Sequence, residues 1–390
     1  MKVLFYLPMV TSWWFDHVVE PLIRTLAGQC EIYVLAPAPW CGTGIGAREL
    51  QQCMDLPQIH WCIMEGPDHP STRTLPESRD DITAWVRDLA PDYVLCRTAD
   101  YETVQAFPGT VKLLMEGRLE PFAPPPHWIV FEDRPLDQGM LPELSGAERD
   151  ALVKLIGPAW ERLQERHAKR PGQRESVVGR CGIPDDRPTL LVPLEAETED
   201  NFFRMHSVRA RPNPRLVAEL AERAGPDFTL VVTNHPINDV HVDAGPLLAT
   251  VADLENVVLA PPVLGGEPAT LALAKHVDGM ILGDSKTFAL GAFFGTPMLR
   301  QTRFESGAWL RSYSDLDRFL SAVAGREAQA PSEEDARLWF AFYMANNVFD
   351  PRAADINPEQ ILTHMERPVD SGRWEAGIAR LRLALPALFA

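Results

Sequence analysis

The sequence lacks the features that mark several large classes of protein. Positive charge is scarce, because 37 Lys and Arg residues stand against 54 Asp and Glu, which gives a net charge of −17. Binding a polyphosphate requires clustered positive charge, so we expect no nucleic-acid partner, although a local basic pocket for one small anion is compatible with this composition. No apolar run reaches the roughly 18 residues of a membrane-spanning helix, so we expect no such helix.

Familiar cofactor, catalytic and metal motifs are also missing. The first strand is not followed by GxGxxG, and the chain contains no Walker A lysine motif, no GxSxG and no HExxH. The scattered His and Asp residues show no recognised ligand spacing, so we expect no metal site. None of the six cysteines forms a CxxC pair, which predicts free thiols in a reducing, cytoplasmic compartment.

Strand and helix patterns alternate from the first residue. Short apolar runs such as KVLFYLP and CEIYVLAP predict buried strands, and helical spacing in DHVVEPLIRTLAG lies between them. This alternation implies a parallel sheet with helices on both faces. A polar segment at 166–187, broken by Pro and Gly, interrupts the pattern, which restarts at PTLLVPL. We interpret that segment as a linker.

We therefore predict an α/β protein with two Rossmann-like doubly wound domains that face a cleft. Residues 1–170 form the N-terminal domain, 185–345 the C-terminal domain, and 346–390 a helical tail. The last stretch, RWEAGIARLRLALPALFA, begins as an amphipathic helix. Two interpretations are open for its apolar side: it packs back on the N-terminal domain, or it makes a peripheral contact with an anionic membrane.

Two polar residues follow a predicted strand of the second half. Asn234 and His235 come directly after FTLVVT, and Pro236 ends the strand. In open α/β sheets, ligands bind beyond the carboxyl ends of the strands. A histidine in such a place can donate a hydrogen bond to a phosphate and stabilise it as a leaving group. The alternative is a surface histidine in a turn.

A second polar group stands where another predicted strand meets a helix. Ser285, Lys286 and Thr287 follow MILGD and precede FALGAFFG. The free amides at a helix start bind anions, with hydroxyls as further donors and Lys286 as added charge. The alternative is that Ser285 or Asp284 is the N-cap of the helix.

Carboxylates also follow predicted strands. Four acids come within six residues after LLVPL, namely Glu195, Glu197, Glu199 and Asp200. A run of acids is usually a solvated loop, but acids at the end of a buried strand can form an active site. Glu116 likewise follows VKLLM, and a strand-end carboxylate is a candidate acid or base, with a solvated charge as the alternative.

Together these motifs resemble bacterial capsule polysaccharide synthesis glycosyltransferases, of the type that transfers Kdo (3-deoxy-manno-octulosonic acid) from CMP-Kdo. The resemblance covers about Leu113 to Pro351 and is carried by LLVPLEAETEDNFFRMHS, NHP, GDSKTFALGAFFGTPML and MEGRLEPF. These are similar to the family's VPLQ strand with its R-x-HS tail, its HP motif, its Ser/Thr-rich turn with helix and GxPV strand, and its acidic-Gly motif. Glu195 stands where the family usually has Gln.

The resemblance implies a GT-B fold with the nucleotide in the C-terminal half and the acceptor largely in the N-terminal half. It implies a CMP-sugar donor and a glycan or lipid-linked acceptor, with no metal and no bound cofactor. Two alternatives stay open: a GT-B transferase or epimerase that uses another nucleotide sugar, and a non-catalytic sugar-binding assembly protein.

The resemblance also implies roles for particular residues. Aligning the RMHS tail places Asp200 on the family's nucleophile, which attacks the anomeric carbon in a retaining double displacement, and Glu199 is the alternative. Glu116 matches the general acid/base, and His235 binds the CMP phosphate during catalysis. Glu197 is then the solvated acid. The candidate donor-binding residues are Arg204, His206, Asn234, His235, Ser285, Lys286 and Thr287.

The sequence therefore predicts a retaining glycosyltransferase that moves Kdo or a related ulosonic acid from a CMP-sugar to a glycan or glycolipid in surface polysaccharide synthesis. We expect it in the cytoplasm, with peripheral contact at the inner membrane.

Overall fold

The computed structural model describes residues 1–134, 139–168, 173–198 and 202–390. The chain divides into two compact units. The first unit comprises residues 1–118, 123–137 and 342–386, and the second comprises 119–122, 138–341 and 387–390. No helix of the described ranges is long and apolar enough to cross a membrane.

Thirteen strands lie in the described parts of the chain. They are β1 (Lys2–Tyr6), β2 (Glu31–Pro37), β3 (Ile59–Met64), β4 (Tyr93–Cys96), β5 (Thr110–Glu116), β6 (Ile129–Glu132), β7 (Thr189–Pro193), β8 (Thr229–Thr233), β9 (Val257–Leu259), β10 (Val263–Leu264), β11 (Glu267–Pro268), β12 (Gly279–Leu282) and β13 (Met298–Arg300).

Sixteen α-helices accompany these strands. They are α1 (Ser12–Trp14), α2 (Glu20–Leu26), α3 (Ala47–Gln52), α4 (Arg79–Leu89), α5 (Tyr101–Val104), α6 (Gly146–His167), α7 (Gln173–Arg180), α8 (Asn213–Ala224), α9 (Pro236–His241), α10 (Gly245–Ala252), α11 (Ala269–Ala274), α12 (Phe288–Phe294), α13 (Leu316–Ala324), α14 (Glu333–Phe342), α15 (Pro358–Glu366) and α16 (Trp374–Ala384).

The first unit is built on a six-stranded sheet in the order β3-β2-β1-β4-β5-β6. The first five strands pair in parallel, and β6 runs antiparallel to β5. This is the strand order of the Rossmann fold, with its switch point between β1 and β4. Runs of β-branched and aromatic residues form the central strands, which are buried because helices cover both faces of a parallel sheet.

The C-terminal segment completes the first unit. A π-helix at Tyr343–Asn347 packs against α16, whose Gly377 lies so close to the carbonyl oxygen of Ala345 that an added Cβ would approach it within 2.4 Å. The apolar face of α16, formed by Trp374, Ile378 and Leu381, is buried within this unit. The C-terminal segment 342–386 thus groups with the first unit.

The second unit has a five-stranded parallel sheet in the order β13-β12-β7-β8-β9. Counted from β7 along the chain, this is again the Rossmann order, with the switch point between β7 and β12. Its core packs α8 and α13 on the sheet through Leu216, Leu220, Phe319 and Leu320. The predicted α/β class with two Rossmann-like units is confirmed.

Two features differ from the sequence-based expectations. Helix α6 was expected in the N-terminal domain, yet it groups with the second unit, because its buried Trp160 packs against the rings of Phe293 and Phe340. The segment interpreted as a linker contains α7, a short helix at Gln173–Arg180.

Candidate functional site

The ends of β7 and β12 meet at the switch point of the second sheet. Glu195 follows β7 by two residues, and Asp284 follows β12 by two residues. The backbone N–H of Asp284 donates to Oε1 of Glu195 over 2.9 Å. Open α/β sheets bind ligands at the carboxyl ends of the strands beside such a switch point, so this junction is the structural centre of the candidate site.

Glu195 holds the junction together through its carboxylate and its backbone oxygen. Nη2 of Arg211 donates to its Oε2, and Nη1 of Arg209 lies 3.7 Å from its Oε1. Its backbone oxygen accepts from Nδ2 of Asn213 at 2.9 Å and Nδ2 of Asn238 at 3.0 Å. The family resembled by the sequence usually has Gln here, and in this chain the carboxylate provides the negative charge that its two arginine neighbours require.

Gly283 makes the close approach of Glu195 possible. A Cβ on Gly283 would lie 2.0 Å from Oε1 of Glu195 and 2.4 Å from Cδ of Arg209. Neither side chain can move away easily, because both are buried or half-buried and contact each other. The glycine is therefore required by packing against the charged cluster.

The charges of the cluster perturb one another. Burial and, to a smaller extent, the charge of Glu195 raise the pKa of Asp284, whereas the Thr302 hydroxyl and the guanidiniums of Arg300 and Arg209 lower it. The net result is a pKa of about 6. Burial lowers the pKa of Arg209 and of Arg300 to about 10. Both guanidiniums therefore stay protonated at neutral pH, while Asp284 titrates just below it.

The predicted residues Asn234 and His235 lie at the end of β8. His235 is the N-cap of α9, where its Nδ1 accepts from the N–H of Ile237 over 3.2 Å. Oδ1 of Asn234 accepts from the N–H of His235 at 3.0 Å and from Nδ2 of Asn238 at 3.1 Å. Because Asn238 also binds the carbonyl of Glu195, this turn is joined to the end of β7.

The predicted residues Ser285, Lys286 and Thr287 lie after β12 and directly before α12. The hydroxyls of Ser285 and Thr287 are 2.7 Å apart, and the N–H of Thr287 donates to the Ser285 hydroxyl over 3.2 Å. Lys286 is half-buried between them. Ser285 thus forms a local hydroxyl turn with Thr287. The N-cap position of α12 is Thr287 and no described side chain caps it, so neither Ser285 nor Asp284 is the N-cap that the sequence offered as the alternative.

The remaining predictions in the acidic stretch have mixed outcomes. Asp200 and Glu199 lie outside the described residues, as does the side chain of Arg204. His206 is buried, with its ring edge-on to Phe304 at 5.3 Å between centroids.

Glu197 is not the solvated charge that the sequence predicted. Its carboxylate accepts from the N–H of Asn213 at the start of α8, and its own N–H donates to Oδ1 of Asn238 over 2.8 Å. A carboxylate at a helix N-terminus satisfies a free amide and complements the helix dipole, so Glu197 anchors α8 to the end of β7.

Glu116 belongs to the first unit, where it is exposed at the end of β5. Together with Glu132 it surrounds Arg97, which follows β4 at the switch point of this sheet. Burial lowers the pKa of Arg97 to about 10, and the charges of Glu116 and Glu132 oppose this. The Arg97 guanidinium lies 3.8 Å from the centre of the Trp14 ring, and Nη1 donates to the carbonyl of Leu114 over 3.0 Å.

Sequence reasoning selected Arg204 in the second unit but not the three arginines of the cluster around Glu195 and Asp284. Arg209 and Arg211 follow the RMHS tail in RARP, and Arg300 ends the otherwise apolar strand MLR. A basic residue inside a buried strand was the available signal. Among the described residues, no group of three or more His, Cys, Asp or Glu side chains is placed to hold a metal ion.

No family model and no curated protein matches the chain. Among solved structures, it is similar to KpsC, the beta Kdo 2,7 transferase of Thermosulfurimonas dismutans, with 12% identity over 85% of this chain and 97% of that one and a TM-score of 0.45. It is also similar to the lipopolysaccharide outer core galactosyltransferase WaaB, with 11% identity over 95% of this chain and 100% of that one and a TM-score of 0.39. The ADP-heptose LPS heptosyltransferase II of E. coli is 14% identical over 97% of this chain and 99% of that one, with a TM-score of 0.28. At identities and TM-scores this low, any functional assignment rests on the residues of the chain itself.

Proposed function

We propose that the protein is a retaining glycosyltransferase of the GT-B type that transfers Kdo or a related ulosonic acid from a CMP-sugar to a glycan or glycolipid. One observation carries the proposal. Three separate segments, VPLE, NHP and GDSKT, lie at the ends of the adjacent strands β7, β8 and β12, and the hydrogen bonds of Glu195 join them. These are the segments whose sequence resembles the donor-binding motifs of such enzymes.

The chemistry of the donor suits this strand-end region. A CMP-ulosonic acid carries a phosphate and a carboxylate, and anions of this kind are bound by guanidiniums, hydroxyls and amides. We assign the phosphate to His235 and the hydroxyls of Ser285 and Thr287, with Asn234, Lys286, Arg204 and His206 nearby in the donor site.

We assign the covalent step to Asp200. Its carboxylate attacks the anomeric carbon as the bond to the CMP phosphate oxygen breaks, and CMP leaves with the electron pair. The acceptor hydroxyl then displaces the carboxylate and gives its proton to Glu116. Two displacements restore the anomeric configuration, and an oxocarbenium-like transition state is stabilised by the carboxylate beneath the ring.

We assign the acceptor to the first unit. Trp13 and Trp40 follow the ends of β1 and β2, and each is 40% exposed. Thr11, which precedes Trp13, and Trp40 each form an isolated β-bridge with Thr43. The guanidinium of Arg73 lies 5.1 Å from the centre of the Trp40 ring. Rigid, exposed indole rings provide stacking surfaces for sugars. Replacing Trp40 by Ala should raise the KM for the acceptor several-fold and leave nucleotide affinity unchanged; an unchanged KM removes Trp40 from the acceptor site.

The six cysteines are free thiols, which suits a reducing compartment. We therefore place the reaction in the cytoplasm, with the lipid-linked acceptor reached at the inner membrane.

The nucleotide is tested by thermal shift with CMP, UDP, GDP and ADP. Stabilisation by CMP alone supports the proposal, whereas stabilisation by UDP or GDP alone favours another nucleotide sugar. Intact-protein mass spectrometry after mixing with CMP-Kdo should then show an added Kdo on the wild type and none on Asp200→Asn. An adduct that survives in Asp200→Asn, or stabilisation by no nucleotide, contradicts the assignment.

A further inference from the structure

Arg300 has a buried guanidinium that uses one of its two edges for hydrogen bonding. Its residue is 3% exposed, and Nη1 donates to Oγ of Ser306 over 2.6 Å. Its Nε and Nη2 are also buried, and no described residue accepts a hydrogen bond from either. The side chain lies over the Phe288 ring, 5.1 Å from its centre, which fixes the plane of the guanidinium.

Arg209 shows the same division between its two edges. Its residue is 5% exposed, and Nη1 donates to the carbonyl of Pro193 over 3.5 Å and faces Glu195. Within the described ranges, nothing accepts from its Nε or Nη2. The two arginines therefore keep the same Nε–Nη2 edge unused, and that edge is the planar fork that binds two oxygens of a carboxylate or phosphate.

The two forks flank the end of one strand. Arg300 pairs in register with Leu282, the last residue of β12, and Cδ of Arg209 lies against Gly283. Both guanidiniums act on the charge of Asp284. Both guanidiniums therefore lie at the switch point, beside the carboxyl end of β12.

The described charges of this cluster do not balance. Among the described side chains, the guanidiniums of Arg209, Arg211 and Arg300 outnumber the carboxylates of Glu195 and Asp284 by one when both acids are ionised. Buried polar groups in proteins are paired, and unpaired buried charge is costly. An anion at the two forks would satisfy the unused N–H groups and the charge together.

We propose that Arg209 and Arg300 form an oxyanion-binding site at the end of β12, which takes a carboxylate or phosphate group of the substrate. The proposal rests on the proposed function only for the source of this oxyanion, either the carboxylate of the donor sugar or the phosphate of the nucleotide. The two arginines bind it through their Nε–Nη2 edges, and Asp284 beside them weakens binding when it is ionised.

Isothermal titration calorimetry tests the site with inorganic phosphate, free Kdo, CMP and CMP-Kdo. The variants are Arg300→Met, Arg300→Lys and Arg209→Lys, since Lys keeps the charge and loses the fork. Arg215→Met is the matched control, because Arg215 is an exposed arginine of α8 paired with Glu219. We expect at least tenfold weaker binding of CMP-Kdo in the Arg300 and Arg209 variants, and wild-type binding in the control.

The four probes separate the two sources. Weakened binding of free Kdo with unchanged binding of CMP identifies the sugar carboxylate, and weakened binding of CMP and inorganic phosphate identifies the nucleotide phosphate. If inorganic phosphate or Kdo binds through the arginines while neither CMP nor CMP-Kdo binds, the proposed function fails and the oxyanion site stands.

The pH dependence separates a binding role from a structural one. Glu195, Arg209, Arg300 and the Thr302 hydroxyl face Asp284. In the wild type, affinity for the oxyanion should rise as the pH falls from 8 to about 5.5, because protonation removes the negative charge beside the site. Asp284→Asn should bind tightly throughout this range. Equal affinity of the wild type and the arginine variants for all probes, or no binding of any probe to the wild type, overturns the proposal.

Discussion

Each Rossmann-like unit has a buried arginine at the carboxyl end of a strand, Arg97 after β4 and Arg300 at the end of β13. The two arginines differ in how their hydrogen-bond donors are used. In the first unit, Arg97 lies on the Trp14 ring, donates to Leu114 and is surrounded by two glutamates. In the second unit, Arg300 keeps its Nε–Nη2 edge without an acceptor in the described part of the chain. Arg97 therefore has partners of its own chain at its ring face and at Nη1, and we expect its role to be structural. The unused edge of Arg300 supports the proposal that the second unit binds an anion.

The largest expected effect comes from disturbing the packing of the second cluster. Gly283→Ala places a Cβ 2.0 Å from Oε1 of Glu195, which forces the carboxylate away from its arginines. We expect a loss of about 3 kcal/mol in unfolding free energy, measured by urea denaturation. The matched control is Gly28→Ala in the first unit, where an added Cβ meets no atom within 4 Å. Equal stability of the two variants would show that Glu195 does not hold the junction.

The comparison of the two arginines is tested by making the same substitution in each. Arg97→Met removes the contact with Trp14 and leaves Glu116 and Glu132 without their cation, so we expect a loss of about 2 to 3 kcal/mol. Arg300→Met removes a buried charge whose fork is unused in the free protein, so we expect a change within about 1 kcal/mol.

Urea denaturation of both variants, without ligand, gives the two values side by side. If Arg300→Met is as unstable as Arg97→Met, the arginine of the second unit is also structural and the contrast between the units disappears. Addition of CMP-Kdo should stabilise Arg97→Met and leave Arg300→Met nearly unchanged.

One titratable group in each unit should make the free energy of unfolding depend on pH, and the two dependences should have opposite signs. Burial raises the pKa of Asp284 in the second unit to about 6, so its favourable contribution is complete below the unfolded pKa and is lost as the pH rises through 6. Burial, with the charge of Arg373, lowers the pKa of His364 in the first unit to about 4. Its contribution is present above the unfolded pKa of about 6.5 and is lost as the pH falls towards 4.

The difference between variant and wild type isolates each group. Relative to the wild type, the free energy of unfolding of Asp284→Asn should increase by about 2 kcal/mol on going from pH 4 to 7.5, because Asn has no charge to bury. His364→Gln should lose a similar amount over the same interval. Parallel curves for a variant and the wild type would show that the group does not titrate as the structure indicates.

The sequence predicted the parts of the fold that local patterns determine. Short apolar runs identified the central strands, whereas β3, with His60 and Trp61 in its middle, has a mixed pattern typical of an edge strand and was not predicted. The domain bounds placed α6 in the N-terminal domain, because position along the chain does not show which core covers a helix, and the contact of Trp160 with Phe293 decides that. Unused donors such as the fork of Arg300 are invisible in sequence, because they depend on which acceptors the fold brings near.

The smallest expected effect separates two roles of His235. His235 is the N-cap of α9 through its Nδ1, and loss of an N-cap costs about 1 kcal/mol. His235→Ala should therefore lose about that much stability, whereas His235→Asn should keep it, since Asn is among the best N-cap residues.

Transfer from CMP-Kdo distinguishes the proposed phosphate contact from the cap. If His235 donates to the phosphate as CMP leaves, both variants should show kcat reduced by tenfold or more, although only one is less stable, because the shorter carboxamide of Asn has no counterpart of the Nε2–H donor on the far side of the ring. Restored kcat in His235→Asn would reduce His235 to a helix cap. The anion contacts of the second unit would then be assigned to Arg209, Arg300 and the hydroxyls after β12, and the contrast with the first unit would rest on the arginines.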